Sequence, residues 1–535
     1  MSEHEFDYVI VGSGAAGSVM AERLTADGRN SVLVLEAGGR NIRLVTQVPK
    51  SFFFTAYTPG VSKHFTKSFP TEELHPGFRE HWTRGRMTGG STEINGMVWN
   101  RGWKEDYDAI EAAGNPGWNW EVFLDAFKRL EDHELGANEL RGSGGPIHIS
   151  RARPDDPTVG LFFQAAGSLG IPTVDDPNGS DDERVAYTAS NIRHGFRVGA
   201  DRAFLRPARR RSNLTIITHA DVDKVILEGR RAVGVSARTK NGTVEFRARR
   251  EVLLAAGALD SPLVLERSGI GDPKILTRAG VPVQVESPKV GQNLSEHRGM
   301  NVVYDIADTP SFNGQVNTRF KQFLTGAKYL FTRRGIISFG GYNALGYFKS
   351  TPDQPRPDIF AMFVAMSLHP QKTFFPNDDP GLMLLMMPMR PSSRGSIHIT
   401  SPDPASPPEL ITGFLSTEKD RATLANGVRR ARQVLAAAPL GKYLVRETFP
   451  GERVQDDETL IDLTRQYGAT GYHSLGTCAM GPGDDDVVDA DLRVRGVEGL
   501  RVIDASVFPH LTSANNNAAT MAAALIIADR ILAGK

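Results

Sequence analysis

Short apolar segments separated by glycine-rich turns run along this chain, and the pattern predicts an α/β protein. Residues 6–11 are typical of a buried parallel strand, a helix is predicted from about 15 to 27, and a second apolar strand over 31–35. This order is a βαβ unit. Further strands are predicted by short apolar runs between turn residues, at 215–222, 233–239, 244–248 and 252–256.

A glycine fingerprint lies between the first strand and the first helix of that unit. Gly12, Gly14 and Gly17 have the GxGxxG spacing, with Ala15 and Ala16 between them. The first glycine permits the tight turn, the second lets a pyrophosphate approach the backbone, and the third lets helix and strand pack closely. Glu36 and Ala37 end the second strand, where a carboxylate can accept ribose hydroxyls. The motif predicts a bound dinucleotide, but it does not separate NAD from FAD.

Cofactor-like segments are scattered over the whole chain, which indicates a domain assembled from separate stretches. We predict a Rossmann-like cofactor domain made of 1–150, 201–298 and 466–535, with a substrate domain made of 151–200 and 299–465 inserted between them. Residues 47–80 lack a clear period and are predicted to form a lid-like excursion over a ligand site. A final Ala-rich helix is predicted over 518–532.

Composition excludes several other classes of protein. The 535 residues carry 62 basic and 62 acidic side chains, so no electrostatic footprint for nucleic acid is visible, and the basic stretch 206–211 is expected to be a solvated loop. No apolar run reaches the roughly 18 residues of a membrane span. The acidic N-terminus does not resemble a signal peptide, so we expect a cytoplasmic protein. The single cysteine, Cys478, excludes an intramolecular disulfide and a Cys-rich metal site; it is expected to be a small buried hydrophobe, and no metal is expected.

Several longer blocks resemble the signatures of one enzyme family, the glucose–methanol–choline (GMC) oxidoreductases. Glu296 stands where this family more usually has Asp. The resemblance extends over essentially the whole chain, from residue 6 to residue 531. The blocks that carry it are 85–102 with 106–108, 257–262 with 268–271, 290–294 with 296–297, and 391–395.

The resemblance implies FAD rather than NAD, held by an α/β FAD domain beside a substrate domain built on an antiparallel sheet. Some family members attach FAD covalently through a His of the first signature. The matching position here is Ile94, so a noncovalent flavin is expected. The residues implied to contact FAD, by motif position, are Gly12, Gly14, Ala15, Ala16, Gly17, Glu36, Ala37, Gly90, Asn95, Gly96, Met97, Val98, Val222, Tyr472, Asp504, Ala505 and Asn516.

The resemblance also implies two catalytic residues near the C-terminus. His473 lies in a His-x-x-Gly-Thr block, whose His faces the flavin N5 in this family, and Asn515 lies six positions after Pro509. Alcohol oxidation by hydride transfer requires loss of the hydroxyl proton, and a His of near-neutral pKa can take it. The Asn515 amide can hold the substrate oxygen. His510 has the wrong offset for this second role, and His297 is expected to be structural or close to the cofactor.

The function implied is oxidation of an alcohol to the aldehyde, with proton abstraction by His473 and hydride transfer to flavin N5. The stretch 311–389 is rich in Phe, Tyr and Met, and a minority of these side chains are expected to line the pocket, which favours a primary, moderately apolar or aromatic alcohol. Reduced flavin then passes electrons to oxygen or to another acceptor such as a quinone. A quinone-linked dehydrogenase would associate with the membrane periphery.

Two other classes of function remain open at this level. A lyase of the cyanohydrin type would bind FAD without redox use, and flavin reduction by an alcohol distinguishes it from an oxidoreductase. A non-catalytic flavoprotein or an NAD-binding module is the third class, and the flavin absorption bands separate these. The light-driven decarboxylases of the family lack the His that His473 provides. The sequence leaves the oligomeric state open, together with the choice between oxidase and dehydrogenase.

Overall fold

The computed structural model describes residues 5–55, 58–66, 81–151, 157–368 and 376–534. The predicted lid-like excursion 47–80 therefore falls partly outside the described residues. Among those that are described, two large sheets dominate the fold and carry separate hydrophobic cores.

The first sheet is the predicted Rossmann-like sheet. Its first strand, Glu5–Val11, pairs in parallel with its neighbours on both sides, so that Ile10 faces Val34 and Leu253. These runs of β-branched and leucine side chains are fully buried because helices cover the sheet, which is typical of parallel strands. The seven strands that the described residues contribute are, in spatial order, Leu214–Thr218, Val32–Glu36, Glu5–Val11, Gly242–Leu254, Arg231–Thr239 and Asp221–Glu228, with Leu500–Val502 also paired to Gly242–Leu254.

The second sheet is mainly antiparallel, as the family resemblance implied. Its strands come from 173–187 and 298–470, inside or beside the segments predicted for the substrate domain; the domain boundaries themselves stay a prediction. Helix Glu418–Ala436 packs on one face of the sheet. The eight strands found among the described residues are, in spatial order, Leu444–Phe449, Arg298–Ile306, Gly381–Pro388, Ile359–Val364, Ala344–Phe348, Arg184–Tyr187 and Thr173–Val174, with Ala469–Thr470 also paired to Arg298–Ile306.

Smaller elements connect and cover the two sheets. The short strands lie at Ser62–Thr66, His81–Gly85, Glu131–His133, Ile147–Arg151, Ala189–Ser190, Ile192–Arg193, Phe196–Arg197, Ile270–Gly271, Val285–Glu286, Ser396–His398 and Glu409–Ile411. The α-helices are Ala15–Leu24, Leu44–Gln47, Phe52–Thr55, Lys104–Ala112, Trp120–Leu130, Pro157–Ser168, Arg206–Ala208, Ser261–Arg267, Pro273–Arg278, Asn313–Val316, Arg319–Thr332, Glu418–Ala436, Asp457–Tyr467 and Asn516–Leu532. Single turns of 3-10 or π-helix lie at Pro49–Ser51, Gly90–Glu93, Asp201–Leu205, Ile336–Ser338, Leu440–Tyr443 and Ala505–Val507.

Two sequence predictions of strands were wrong in detail. Strand 215–222 is interrupted at His219, which adopts a positive φ of 58°. The His219 and Ala220 amides donate to the carbonyl oxygens of Gly38 and Glu36, so a turn beside the cofactor motif replaces the predicted continuation. The segments predicted at 244–248 and 252–256 are joined in one strand, Gly242–Leu254, which continues past a register shift at Arg249 and Arg250 to the pairing of Glu251 with Tyr8 and ends before Ala255.

The basic stretch 206–211 is only partly the solvated loop that its composition predicted: Arg206, Pro207 and Arg210 are exposed, but residues 206–208 are helical and three of the arginines form ion pairs. The Arg206 and Arg209 guanidinium groups donate to both oxygens of Asp201, at 2.8 and 2.6 Å, and the Asp201 side chain is fully buried. The Arg211 guanidinium pairs with Glu22 at 2.6 Å. The stretch therefore ties helix Ala15–Leu24 to the polypeptide that follows the substrate segment, since a buried carboxylate requires charged partners.

The buried ion pair between Arg101 and Glu131 generates a prediction about stability. Arg101 donates to both Glu131 oxygens at 2.7 and 2.6 Å, and neither side chain is more than 1% exposed. Arg101→Leu leaves this carboxylate buried without its cation, so we expect a loss of about 3–5 kcal/mol in the free energy of unfolding. Arg247→Leu, which breaks the exposed pair with Glu228, is the matched control and is expected to cost about 1 kcal/mol or less. Urea unfolding measures both; equal effects would contradict the prediction.

Candidate active site

The glycine fingerprint forms a tight turn at the carboxyl end of strand Glu5–Val11. Gly12 has a φ of 93°, and a Cβ there would lie 2.5 Å from the carbonyl oxygen of Ala255. A Cβ on Gly17 would lie 2.0 Å from the Gly12 carbonyl oxygen, so only glycine permits this close packing of helix on strand. Gly14 has open space on its side-chain side and caps helix Ala15–Leu24 without a side-chain hydrogen bond. The helix N-terminus is therefore open to an anionic group.

The carboxylate of Glu36 lies beside this turn and is buried. It accepts hydrogen bonds from the Ser13 hydroxyl at 2.5 Å, the Ser13 amide at 3.2 Å and the Gly38 amide at 2.8 Å. Burial raises the pKa of Glu36, and these hydrogen bonds oppose the rise. Val222 is buried nearby, two residues after Ala220, whose amide binds the Glu36 carbonyl oxygen. The structure thus brings Glu36, Ala37 and Val222 to one edge of the sheet.

The Gly-rich segment of the first family block packs on the fingerprint. The Gly89 amide donates to the Ser13 carbonyl oxygen at 2.9 Å, and a Cβ on Gly90 would lie 2.8 Å from Gly14 Cα. This close approach explains why glycine occupies position 90, where a side chain would collide with the fingerprint.

In the segment from Asn95 to Val98, the Asn95 side chain binds neighbouring protein groups rather than facing a ligand. Asn95 Oδ1 accepts from the Met97 amide at 3.1 Å and from the buried Arg197 guanidinium at 2.7 Å. Met97 has a φ of 62°, and this turn leaves open space beside Gly96. The Asn95 side chain therefore shapes the turn, and the backbone of Gly96 to Val98 is the part available to a ligand.

Asp504 lies at the same edge of the first sheet. Its oxygens accept from the Gly257 amide at 2.9 Å, the Ser261 hydroxyl at 2.5 Å and the Ser506 amide at 2.8 Å. Ala505, the next residue, is 9% exposed. Asp504 therefore holds the two loops at Gly257 and Ser506 against each other, and its pKa is raised by burial.

The two candidate catalytic side chains touch. His473 Nε2 and Asn515 Nδ2 are 2.8 Å apart, although the residues are far apart in sequence. His473 follows the strand Ala469–Thr470, and Asn515 caps helix Asn516–Leu532. Asn515 Oδ1 is buried without a hydrogen-bond partner among the described residues. The structure thus brings together the two side chains that the resemblance implied for catalysis, and their catalytic roles stay a prediction.

A second histidine, His297, completes a chain of hydrogen bonds. His297 Nδ1 lies 2.9 Å from His473 Nδ1, and His297 Nε2 lies 2.8 Å from the carbonyl oxygen of Met389. The two rings meet edge to face, with an interplanar angle of 85°. Burial lowers the pKa of His297 to about 4, so this ring is neutral at pH 7.

The chain of hydrogen bonds assigns the tautomers of both rings. The Met389 carbonyl oxygen can only accept, so His297 carries its proton on Nε2 and presents a lone pair at Nδ1. His473 must then donate from Nδ1, which leaves the lone pair of its Nε2 directed toward Asn515. Burial lowers the pKa of His473, and the nearby His297 and Arg84 lower it further. His473 is therefore a neutral base with a fixed orientation.

Glu296 holds the two histidines in position from behind. It accepts from the amides of His473 and His297 at 2.7 and 2.9 Å, and from the Ser474 hydroxyl at 2.8 Å. The Arg84 guanidinium lies 3.9 Å from this carboxylate and compensates its charge. Glu296, His297 and His473 offer ligand atoms within 4.8 Å of one another, but these atoms are engaged in the hydrogen bonds just described.

Of the remaining candidates, Tyr472 and Asn516 lie near His473 in the chain or in space, whereas His510 and Cys478 take no part in its hydrogen bonds. Tyr472 is 40% exposed and has a φ of 57°. The side-chain amide of Asn516 donates from Nδ2 to the Ser474 carbonyl oxygen at 3.2 Å. His510 contacts the Asp106 carbonyl oxygen at 3.0 Å and takes no part in the His473 network, as its offset predicted. Cys478 is buried, as expected, and burial raises the pKa of its thiol.

Sequence reasoning missed the roles of His297, Glu296, Arg84 and Met389. The Glu–His pair lay in a family block, which was the available signal for the first two. Arg84 directly precedes the first signature, and Met389 contributes only its backbone, so no residue type marked either of them.

The glycine turn, the uncapped helix N-terminus and the open sides of Gly14, Gly96 and Gly257 fit a flavin dinucleotide. Asn517 Nδ2, beside the catalytic pair, is buried without a partner among the described residues, which also fits a missing acceptor. The groups that fit a flavin dinucleotide thus extend from the glycine fingerprint to the neighbourhood of His473.

The family models that match are both described as GMC oxidoreductase, and they match residues 6–298 and 391–524. An oxygen-dependent choline dehydrogenase of Chromohalobacter salexigens is 37% identical over 98% of this chain and 95% of the relative. That of Ectopseudomonas mendocina is 36% identical over 99% and 94%. The chain belongs to the GMC oxidoreductase family.

Solved structures agree with this assignment. Pyridoxine 4-oxidase from Mesorbium loti has a TM-score of 0.89 at 29% identity, covering 98% of this chain and 99% of the other. A formate oxidase variant from Aspergillus oryzae, studied for FAD modification, has a TM-score of 0.90 at 26% identity, covering 99% and 98%. The protein is therefore an FAD-dependent alcohol oxidoreductase with the mixed α/β fold predicted from the sequence. No helix among the described residues is long and apolar enough to cross a membrane.

The tautomer assignment predicts the effect of changing His297. In His297→Leu the His473 Nδ1–H loses its acceptor, and the ring is free to rotate or to adopt the other tautomer. We expect flavin reduction by an alcohol to slow by about tenfold to hundredfold. His297→Gln keeps an acceptor and is expected to recover part of the rate, whereas His510→Leu, outside the network, is expected to match the wild type. Anaerobic stopped-flow absorbance measures all three; a wild-type rate in His297→Leu would refute the assignment.

Proposed function

We propose that this enzyme oxidises a neutral, primary, moderately apolar or aromatic alcohol to the aldehyde. In the proposal, His473 removes the hydroxyl proton and Asn515 holds the oxygen. The observation that carries it is the contact between His473 Nε2 and Asn515 Nδ2 at 2.8 Å, with the tautomer set by His297. A hydroxyl entering between these atoms can donate to Nε2 and accept from Nδ2.

The protein groups have distinct tasks in this proposal. His473 receives the proton at Nε2 and becomes an imidazolium whose two N–H groups both need acceptors. His297 Nδ1 accepts one of them, and Asn515 Oδ1, which has no partner among the described residues, lies next to the other. Glu296 stabilises the positive charge through space, because its carboxylate accepts from the His473 amide. Proton removal favours hydride loss from the α-carbon, since an alkoxide donates hydride more readily than an alcohol.

The cofactor would be held by the segments already described. Gly12 to Gly17 and the helix N-terminus would take the pyrophosphate, Glu36 and Val222 the adenosine half, and Gly90, Gly96 to Val98, Asp504 and Ala505 the flavin half. FAD supplies the two-electron acceptor, at N5, for the hydride of the substrate. Ile94 carries no nucleophile, so we propose that FAD is bound noncovalently.

An apolar cluster supports the proposed class of alcohol. It joins Val98 of the first signature to the facing strands of the second sheet, and Met389, whose carbonyl binds His297, belongs to it. The cluster is buried, and we propose that it would form an apolar wall beside the polar reactive end of the substrate. Its buried members are Val98, Trp103, Leu345, Tyr347, Phe360, Met362, Leu385, Met387 and Met389.

Choline, which the curated relatives are named for, is a quaternary ammonium cation and needs carboxylates or free aromatic faces. The buried Glu296 carboxylate already interacts with two backbone amides, the Ser474 hydroxyl and the Arg84 guanidinium. The Asp106 carboxylate accepts from the Ser513 amide and hydroxyl and from the Trp103 amide. Both carboxylates are therefore engaged within the protein. The Trp103 ring already has Arg390 at 5.1 Å and Arg356 at 5.7 Å. These positive charges disfavour a cation, so the proposal specifies a neutral substrate.

The acceptor and compartment belong to the proposal as well. The relatives reported above are dehydrogenases and oxidases, which gives the lyase alternative no support. We propose that oxygen or a quinone would be the final electron acceptor, and that the enzyme works in the cytoplasm, where a chain with one buried free cysteine needs no oxidising environment.

Removing the proposed base tests the catalytic assignment. His473→Ala is expected to retain bound FAD and to slow anaerobic flavin reduction by about a hundredfold to ten-thousandfold, since a positioned base contributes that much. Asn515→Ala keeps the base and is expected to slow it by about tenfold to a thousandfold. His510→Ala, in the same C-terminal segment, is the control and is expected to reduce normally. If flavin in His473→Ala is reduced as fast as in the wild type, another residue is the base.

A substrate screen tests the proposed class of alcohol separately. Benzyl alcohol and a medium-chain primary alcohol are expected to reduce the flavin, and choline at the same concentration is expected to do so at least about tenfold more slowly, because its charge meets arginines rather than carboxylates. Anaerobic reduction is followed by absorbance. A preference for choline would overturn the neutral-substrate proposal while leaving the His473 assignment intact.

A further inference from the structure

One surface helix exposes the side chains that a soluble helix normally buries. Helix Arg319–Thr332 contains Phe320, Phe323, Leu324, Leu330 and Phe331, which are 69, 70, 48, 57 and 89% exposed. Tyr329 is its only buried residue, and the Tyr329 hydroxyl donates to the Gly195 carbonyl oxygen at 2.8 Å. The helix is thus attached to the protein along one narrow line and presents its apolar side to the outside.

The exposed apolar residues form a single stripe. At 3.6 residues per turn they fall within an arc of about 120°, and Tyr329 lies on the opposite side of the helix. Isolated apolar residues on a surface are ordinary, but five large ones aligned on one helix face mark an interaction surface.

Positive charges flank this stripe along the chain. Arg319, Lys321 and Lys328 belong to the helix and Arg334 follows it, while the Arg333 guanidinium lies over the Phe196 and Tyr329 rings at 4.8 and 5.2 Å, on the attached side of the helix. Residues 309–352 contain no Asp or Glu, and none of these five cations forms an ion pair within the part of the chain that the structure describes. Lys321 and Lys328 project beside one border of the apolar arc, with Arg319 at the other.

We propose that helix Arg319–Thr332 docks the enzyme on an anionic lipid surface, lying in the plane of the membrane interface. The apolar arc would enter the acyl boundary while the flanking cations contact anionic headgroups, which is the composition of an interfacial amphipathic helix. The helix is 14 residues long, so it lies on a bilayer and does not span one.

Charge decides among the other possible occupants. A second copy of this chain docking through the same face would bring the flanking cations of both copies together, which disfavours a symmetric dimer. A nucleic acid would match the charges but leave the three phenylalanines and two leucines in water. An anionic bilayer satisfies the charges and the apolar arc together.

The position of the helix relates this surface to the active site. The chain continues from Arg333 to Gly340 and Gly341, and the Gly341 amide contacts the carbonyl oxygen of Gly96 at 3.4 Å. Gly96 belongs to the segment proposed to line the flavin. Lipid docking would therefore place the active site close to the membrane surface, where apolar alcohols and quinones concentrate.

Flotation of the FAD-loaded enzyme with vesicles tests the proposal. Vesicles of equal parts phosphatidylcholine and phosphatidylglycerol are expected to carry the wild type, and vesicles of phosphatidylcholine alone to carry at least about tenfold less. The triple variant Phe320→Ser, Phe323→Ser, Phe331→Ser and the double variant Lys321→Glu, Lys328→Glu are each expected to lower the bound fraction about tenfold or more.

Matched controls change the same residue types elsewhere. Val283→Ser with Val445→Ser removes two exposed apolar side chains, and Arg230→Glu with Lys240→Glu reverses two exposed charges; both are expected to float like the wild type. Retained flavin absorbance and anaerobic reduction by an alcohol show that each variant is folded. Wild-type enzyme that stays with the soluble fraction, or a triple variant that floats normally, would overturn the proposal without bearing on the alcohol chemistry.

Discussion

The hydrogen-bond chain from the Met389 carbonyl oxygen through His297 and His473 to Asn515 is the interaction on which the candidate active site depends. A single carbonyl oxygen, which can only accept, sets the proton position on two rings in succession. The lone pair of His473 Nε2 consequently faces the Asn515 side-chain amide, where the proposed alcohol oxygen would lie between two protein groups. Each of these atoms comes from a different stretch of the chain, so the base exists only in the folded protein.

Burial sets the electrostatic character of the hydrogen-bonded network formed by His297, His473 and Glu296. The pKa values of both histidines are lowered by desolvation, and that of Glu296 is raised by it, while the nearby Arg84 opposes the rise at Glu296. A neutral His473 can take a proton, and Glu296 lies where the resulting positive charge develops. The same Glu296 joins the backbones of His297 and His473, which makes one carboxylate responsible for both geometry and charge.

Two sheets converge on this arrangement. Parallel strands of the first sheet end at Gly12, Glu36 and Gly257, so the backbone groups suited to a dinucleotide collect at one edge. Two strands of the second sheet position the other groups. Strand Arg298–Ile306 begins directly after His297, and strand Gly381–Pro388 ends directly before Met389. The hydrogen-bonded histidines and Asn515 therefore lie where the second sheet meets the edge of the first that is proposed to bind the cofactor, which is a common place for a ligand site.

The sequence by itself determined the βαβ unit and the turn at Gly12, Gly14 and Gly17, because a glycine spacing depends on local chain geometry. FAD rather than NAD was implied by the family resemblance of the longer blocks. It also identified His473 and Asn515 as a pair, although their contact could only be an expectation. Strand ends were predicted less well: at His219 a long-range hydrogen bond to Gly38 overrode a local apolar pattern. At Arg206 and Arg209 the buried Asp201 binds guanidinium groups that composition alone placed in a solvated loop. Only the tertiary structure decided the tautomer of His473, because the Met389 carbonyl oxygen that sets it belongs to no motif and is brought there by the packing of the two sheets. The exposure of helix Arg319–Thr332 was decided in the same way, since an aromatic helix face is core or surface according to what packs on it.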